Sequence, residues 1–159
     1  MNSKHTHKLL PAKLSLAVQY ASTAQDLPTR AQLRRWVKAA LQRDLCMTLR
    51  IVDEAEGREL NRNYRGKDYA TNVLTFVYDE PEQLASDVVI CAPVVKKEAA
   101  AQHKDLYAHY AHLAIHATLH LQGYEHENDA DAAEMEALET ALMLKLRFPN
   151  PYQEDQYQT

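Results

Sequence analysis

Three histidines in the second half of the chain have the types and spacing of a metal site. His116 and His120 are four residues apart, so on a helix their side chains lie one turn apart on the same face. Gly123 follows and can adopt the positive φ that ends a helix, which lets the returning chain present His126. Three imidazole nitrogens that leave one position open are typical of catalytic zinc sites. The spacing therefore predicts one zinc ion held by His116, His120 and His126.

The alternative for a pair of histidines at this spacing is a polar helix surface. Against it, a helical projection puts a broad apolar face on one side of the histidine stripe, and Ile115 and Leu119 on the other. An imidazole in apolar surroundings needs a partner, and a metal supplies one for each ring. The pattern thus favours a metal site.

Two further residues are candidates for a supporting role. His112 continues the stripe, but about 12 Å of helix rise separates it from His120, too far for both to join His116 on one ion. We expect His112 to support a ligand or to transfer a proton, and Glu125, beside His126, to do the same. His109 is expected at the surface.

The segment HATLHLQGYEH also matches the zinc-peptidase pattern H-E-x-x-H-x-x-G-x-x-H, with one exception. Ala117 stands where a peptidase has its catalytic glutamate. Without that general base, nothing in the pattern takes the proton from the attacking water. Peptide hydrolysis is therefore a minor hypothesis.

A second cluster lies upstream, in the segment LNRNYRGKDYATNVLTF. Arg62, Arg65 and Lys67 concentrate positive charge just before a predicted strand, an arrangement that suits a phosphate oxygen. The alternative is a solvated basic turn without a ligand, which composition alone favours slightly.

The elements that position these residues follow from hydrophobic periodicity. The pattern predicts strands first mixed with helices, and then helices only. Strands are predicted at 14–20, 45–53, 72–78 and 87–92, and helices at 30–43, 54–65, 94–103, 106–122 and 129–148. We expect an α+β fold: a small sheet of about four strands packed with about five helices, with the metal-binding helix near the C-terminal half.

Length and composition indicate one domain. The 159 residues suffice for a single core, so residues 1–159 are expected to form one metal-dependent domain, with 149–159 as a flexible tail. Cys46 and Cys91 lie in apolar runs, where free cysteines act as small core residues of a protein in a reducing compartment. No apolar run is long enough to span a membrane, so we expect a cytoplasmic protein with no membrane partner. The net charge of −4 excludes a generally basic nucleic-acid-coating protein.

The two clusters together resemble the YbeY family of bacterial rRNA maturation factors, from about Leu14 to Leu146. HATLHLQGYEH is similar to the family's H-G-x-L-H-L-x-G-Y-D-H, and the upstream segment resembles a family stretch that ends in T-D-V-L-S-F. ASDVVI resembles the strand G-D-I-x-I that follows it. The departures from the family pattern are Ala117 for glycine, Glu125 and Asn72 for aspartate, Thr75 for serine and Ser86 for glycine.

The resemblance implies a zinc-dependent endoribonuclease specific for single-stranded RNA. His116, His120 and His126 correspond to its zinc ligands, and Arg65 to the catalytic arginine associated with activity. It further implies work on the 3′ end of 16S rRNA, ribosome quality control, and contact with the small ribosomal subunit or an Era-type GTPase. The alternatives are a noncatalytic zinc-stabilised RNA- or ribosome-binding module and a metal-dependent hydrolase of another substrate. The identity of the general base, and whether water or the ribose 2′-hydroxyl attacks, stay open.

Overall fold

A computed structural model describes residues 11–78 and 83–153, which form four strands and five helices. Their order along the chain agrees with the predicted α+β architecture. The elements are β1 (Leu14–Ala21), α1 (Arg30–Ala39), β2 (Leu45–Val52), α2 (Glu54–Arg65), β3 (Val73–Tyr78), β4 (Leu84–Cys91), α3 (Ala92–Ala101), α4 (Leu106–Leu121) and α5 (Asp129–Lys145). None of these helices is both long enough and apolar enough to cross a membrane.

The strands form one mixed sheet in the order β1-β2-β4-β3. The first three strands of that order run parallel, whereas β3 pairs antiparallel with β4, with Val73 opposite Ile90. Strand β3 is therefore an edge strand. Neither this order nor these directions follow from periodicity, because pairing between distant strands depends on packing of the whole domain.

The two faces of the sheet are covered differently. On one face, Leu45, Met47, Leu49 and Ile51 of β2 point into the main core, which also contains much of α1 and α4. The other face carries a smaller apolar cluster, against which Leu60 of α2 and Val94 of α3 pack. Cys46 is exposed, which contradicts its predicted place in the core, because strand alternation turns it away from its buried neighbours.

Helix α4 runs through the centre of the core, with 11 of its 16 residues buried. The side chain of Asp105 caps its start by accepting a hydrogen bond from the amide of Ala108. At its end, Gly123 has a φ of +110°, and the amides of Gly123 and Tyr124 donate to the carbonyls of His120 and Leu119. This pair of bonds is a Schellman motif, so the predicted glycine turn is confirmed.

The chain after α5 folds back onto the helices. Lys104 donates through Nζ to the carbonyl of Pro151 at 2.7 Å, and Pro151 is buried. The hydroxyl of Tyr152 bonds the carboxylate of Glu139. Residues 149–153, the first part of the expected flexible tail, therefore have defined contacts, whereas 154–159 lie outside the described residues.

Candidate functional site

The three predicted zinc ligands and Arg65 line one cavity of about 620 Å³. Helix α4 contributes His116 and His120, and the turn beyond Gly123 contributes His126. The opposite wall comes from the end of α2 and from the edge strand. The lining residues are Tyr64, Arg65, Thr71, Asn72, Val73, Leu74, Thr75, Phe76, His116, Ala117, His120 and His126.

The three imidazole rings lie close to one another. Ring centroids are 6.5 Å apart for His116 and His120, 5.6 Å for His116 and His126, and 6.1 Å for His120 and His126. Two imidazoles on one tetrahedral zinc ion have centroids about 5 Å apart, given Zn–N bonds of about 2 Å. The rings are thus slightly too far apart, and among residues 11–78 and 83–153 no three His, Cys, Asp or Glu side chains are placed to hold one ion. The three-histidine site stays a prediction.

Glu139 of α5 determines which ring nitrogen of His116 carries the hydrogen. The carboxylate is completely buried, and its Oε2 lies 2.8 Å from Nδ1 of His116. A carboxylate can only accept, so Nδ1 carries the hydrogen, and Nε2 of the neutral ring keeps its lone pair. That arrangement suits a metal ligand, because a carboxylate behind the ring holds its tautomer and orientation.

Glu139 has two further partners. Its Oε1 lies 2.6 Å from Nε2 of His112 and also accepts a hydrogen bond from the hydroxyl of Tyr152. The rings of His112 and Tyr152 meet edge to face, with centroids 5.2 Å apart. Burial alone would raise the pKa of Glu139, but the hydrogen bonds from His112, His116 and Tyr152 outweigh it and lower the pKa to about 2. His112 therefore contacts the same carboxylate as His116, and its supporting role stays a prediction.

His120 has fewer hydrogen-bond partners than His116 among the described residues. Its Nδ1 is buried and has no hydrogen-bond partner among the described residues. A buried nitrogen without a partner is unfavourable. The donor set is chemically suited to zinc: three imidazoles, one of them backed by a carboxylate.

Arg65 brings a positive charge to this cavity. It is the last residue of α2, and Gly66, with a φ of +72°, ends the helix immediately after it. The nearby acid, Asp68, is engaged by both nitrogens of Arg58 at 2.9 and 3.0 Å, and Arg62 is 3.9 Å away. No carboxylate of the described residues pairs with Arg65, so its guanidinium is available to an anion.

A second, partly buried contact network holds the opposite wall of the cavity. Asn72, at the start of β3, donates through Nδ2 to the carboxylate of Glu98 at 3.1 and 3.3 Å. Glu98 also lies 2.9 Å from Nε2 of His109, a residue only 5% exposed. His109 was expected at the surface, and this is wrong: it faces α3, where Glu98 supplies its partner. The amide of Asn72 suits this position because aspartate would put two carboxylates in contact.

The remaining candidate, Glu125, is not brought to the cavity. Its side chain is exposed and lines a separate depression with Gln42 and Asp131. Ala117 does line the histidine cavity, and none of the described residues around that cavity is an aspartate or a glutamate.

Sequence reasoning missed Glu139 and Tyr152. A signal for Glu139 exists: Met135, Glu139 and Met143 are spaced by four residues, so the glutamate lies on the buried stripe of α5. A carboxylate at such a position needs partners. No pattern singles out Tyr152, whose role depends on how the chain folds back.

The chain is similar to known proteins over most of its length. Residues 17–147 match the family model described as endoribonuclease YbeY. The endoribonuclease YbeY of Aromatoleum aromaticum is 59% identical over 144 residues, covering 89% of this chain and 94% of the relative. That of Thiobacillus denitrificans is 57% identical over 142 residues, covering 88% and 97%. The solution structure of TM1509 from Thermotoga maritima has a TM-score of 0.56 at 23% identity, covering 91% of this chain and 99% of that one, and shows the same fold.

Proposed function

The chain belongs to the endoribonuclease YbeY family, and from this premise we propose that it is a zinc-dependent endoribonuclease that cleaves single-stranded RNA. Family membership supports the coarser statement, an RNA-cleaving hydrolase. One observation supports this cavity as the site of cleavage: Arg65 and three histidines line it, and none of its described lining residues is acidic.

Arg65 is the proposed phosphate-binding residue. A guanidinium can bind two phosphate oxygens at once, and a cavity without carboxylates does not repel the anion. Because Asp68 is already engaged by Arg58, binding of a phosphate by Arg65 breaks no ion pair of the described residues. We propose that Arg65 holds the scissile phosphate and offsets the charge that grows on it during cleavage.

His116, His120 and His126 would hold the zinc ion, with Glu139 behind His116. When bound, zinc supplies a Lewis acid that stabilises negative charge on a phosphoryl oxygen. The residues of the chain then have separate tasks. Glu139 keeps the hydrogen of His116 on Nδ1, and Arg65 orients the substrate.

Ala117 argues against a peptidase. It occupies the position of the peptidase glutamate and lines the cavity, where no described carboxylate replaces that general base. Amide hydrolysis needs a group that both activates water and protonates the leaving nitrogen, so this cavity fits a phosphodiester better.

The finer biological role is proposed from the family resemblance. We propose that the substrate is the 3′ end of 16S rRNA on the small ribosomal subunit, that the protein acts in the cytoplasm in ribosome quality control, and that an Era-type GTPase is a partner. The whole described chain would act as one catalytic domain.

The direct test compares cleavage of an unstructured RNA by wild type, Arg65→Ala and the control Arg62→Ala. Arg62 lies on the same helix but does not line the cavity. We expect Arg65→Ala to lower kcat/KM by at least about 100-fold, in the range measured for loss of one transition-state donor, while Arg62→Ala stays within a few-fold of wild type. Equal cleavage by both variants would contradict the assignment. Zinc binding without cleavage by wild type would favour the noncatalytic binding module.

A further inference from the structure

A second cavity, of about 680 Å³, lies between α2 and the sheet face that points away from the main core. It shares two of its walls, Tyr64 and Phe76, with the histidine cavity. The two rings meet edge to face, with centroids 5.0 Å apart and planes at 66°. The two cavities are therefore neighbours on either side of one aromatic pair, at the edge strand β3.

The charged groups of the second cavity already have partners among the described residues. Arg50 binds Glu56 through two bonds of 2.7 and 3.1 Å, and its third nitrogen donates to Gln19 at 3.1 Å. Asp87 accepts a hydrogen bond of 2.6 Å from the hydroxyl of Tyr78. A phosphate entering here would have to displace Glu56 from Arg50, so the cavity is poorly suited to an anion.

The same lining suits a neutral, planar group with hydrogen-bonding edges. Tyr64 is 68% exposed and offers an open ring, while Phe76 and Tyr78 extend the aromatic surface along β3. Gln19 and Thr48 add amide and hydroxyl groups from neighbouring strands. Unpaired bases bind proteins in this way, by stacking on aromatic rings and bonding through their edges.

We propose that this second cavity binds an unpaired nucleobase of the RNA strand whose phosphate Arg65 holds, with Tyr64 as the stacking surface. Tyr64 and Arg65 are consecutive residues at the end of α2, so a base on Tyr64 belongs to a nucleotide close to the bound phosphate. The RNA then passes round the edge of β3, from the histidine cavity to the second cavity. A duplex cannot present its bases in this manner, which makes the cavity a selector for unpaired RNA. This inference rests on the proposed function.

The test measures binding separately from cleavage. A short unstructured RNA that carries a single 2-aminopurine is titrated with each protein in EDTA, and the fluorescence of that base reports binding. The proteins are wild type, Tyr64→Ala, Tyr64→Phe and Tyr69→Ala. Tyr69 is the matched control, because it is 56% exposed and lies near in sequence but lines a different cavity, with Arg58 and Asp68. We expect Tyr64→Ala to weaken binding about 5- to 150-fold, the equivalent of about 1–3 kcal/mol for one stacked base. Tyr64→Phe and Tyr69→Ala should bind like wild type.

A second measurement places the stacked base. An abasic nucleotide moved along the RNA should weaken wild-type binding most at one position next to the cleaved bond, and should have no further effect there with Tyr64→Ala. Equal binding by Tyr64→Ala and Tyr69→Ala, or an equal loss in Tyr64→Phe and Tyr64→Ala, would overturn the stacking role. Binding that depends on Tyr64 without any cleavage by wild type would overturn the proposed function alone. Cleavage with binding independent of Tyr64 would overturn this inference alone.

Discussion

Nδ1 of His116 lies 2.8 Å from Oε2 of Glu139, a carboxylate that has no exposed surface. The contact joins the central helix α4 to α5, and it determines which nitrogen of His116 remains free for the cavity. The same carboxylate contacts His112 and, through the chain after α5, Tyr152. The orientation of one candidate ligand therefore depends on three successive parts of the chain: α4, α5 and the segment that follows α5.

Glu139→Gln is expected to weaken zinc binding by about 10- to 100-fold, the usual effect of losing a group that orients a metal-bound histidine. The amide keeps the volume of the side chain, but one of its two ends donates and so cannot accept from both histidines. Zinc affinity is measured by competition with a chromogenic chelator. Glu134→Gln, on an exposed position of the same helix, is the control. Equal affinities of the two variants would show that Glu139 does not act on the site.

Tyr152→Phe tests the contact between the chain after α5 and this carboxylate. The substitution removes only the hydroxyl that donates to Glu139. We expect the free energy of unfolding to fall by about 1.5–3 kcal/mol, as for a hydrogen bond to a charged group, with zinc affinity reduced less than in Glu139→Gln. Urea denaturation of the zinc-free protein measures the first effect. An unchanged midpoint would mean that the hydroxyl of Tyr152 adds nothing to the stability of the fold.

His109 predicts a pH dependence of stability. Burial lowers the pKa of His109, despite the opposing effect of Glu98. The unfolded chain, with a histidine pKa of about 6.5, therefore binds a proton at a higher pH than the folded chain does. The contribution of His109 to stability is complete above about pH 6.5 and is lost as the pH falls through the pKa of the folded state.

The comparison is between wild type and His109→Gln, whose amide retains a donor for Glu98 and does not titrate. Between pH 7.5 and pH 5.5, the free energy of unfolding should fall more steeply for wild type than for His109→Gln. The extra slope is at most about 1.4 kcal/mol per pH unit. Parallel losses in the two proteins would contradict the assigned direction of the pKa shift.

Much of the site follows from short-range patterns. His116 and His120 share a helix face because of their four-residue spacing, and Gly123 turns the chain because it tolerates a φ of +110°. Both features are local, so the sequence alone suffices to predict them. The amphipathic segments likewise predict the number and kind of the elements.

The remainder depends on distant contacts. Edge strand β3 brings Arg65 to the histidines, although about fifty residues separate the two clusters in the sequence. The antiparallel pairing of β3 with β4 determines this meeting, and periodicity carries no information on strand order. The prediction for His109 was wrong for a different reason: its partner Glu98 is near in sequence, but only the packing of α3 against α4 brings the two side chains together.

The central claim, zinc-dependent RNA cleavage at three histidines, is tested most directly by measuring zinc content and RNA cleavage in one preparation each of wild type and His120→Ala. Circular dichroism confirms that both are folded. We predict one zinc per chain and cleavage of single-stranded RNA for wild type, with zinc and cleavage lost together in His120→Ala. Undiminished cleavage by a zinc-free His120→Ala protein would contradict the account.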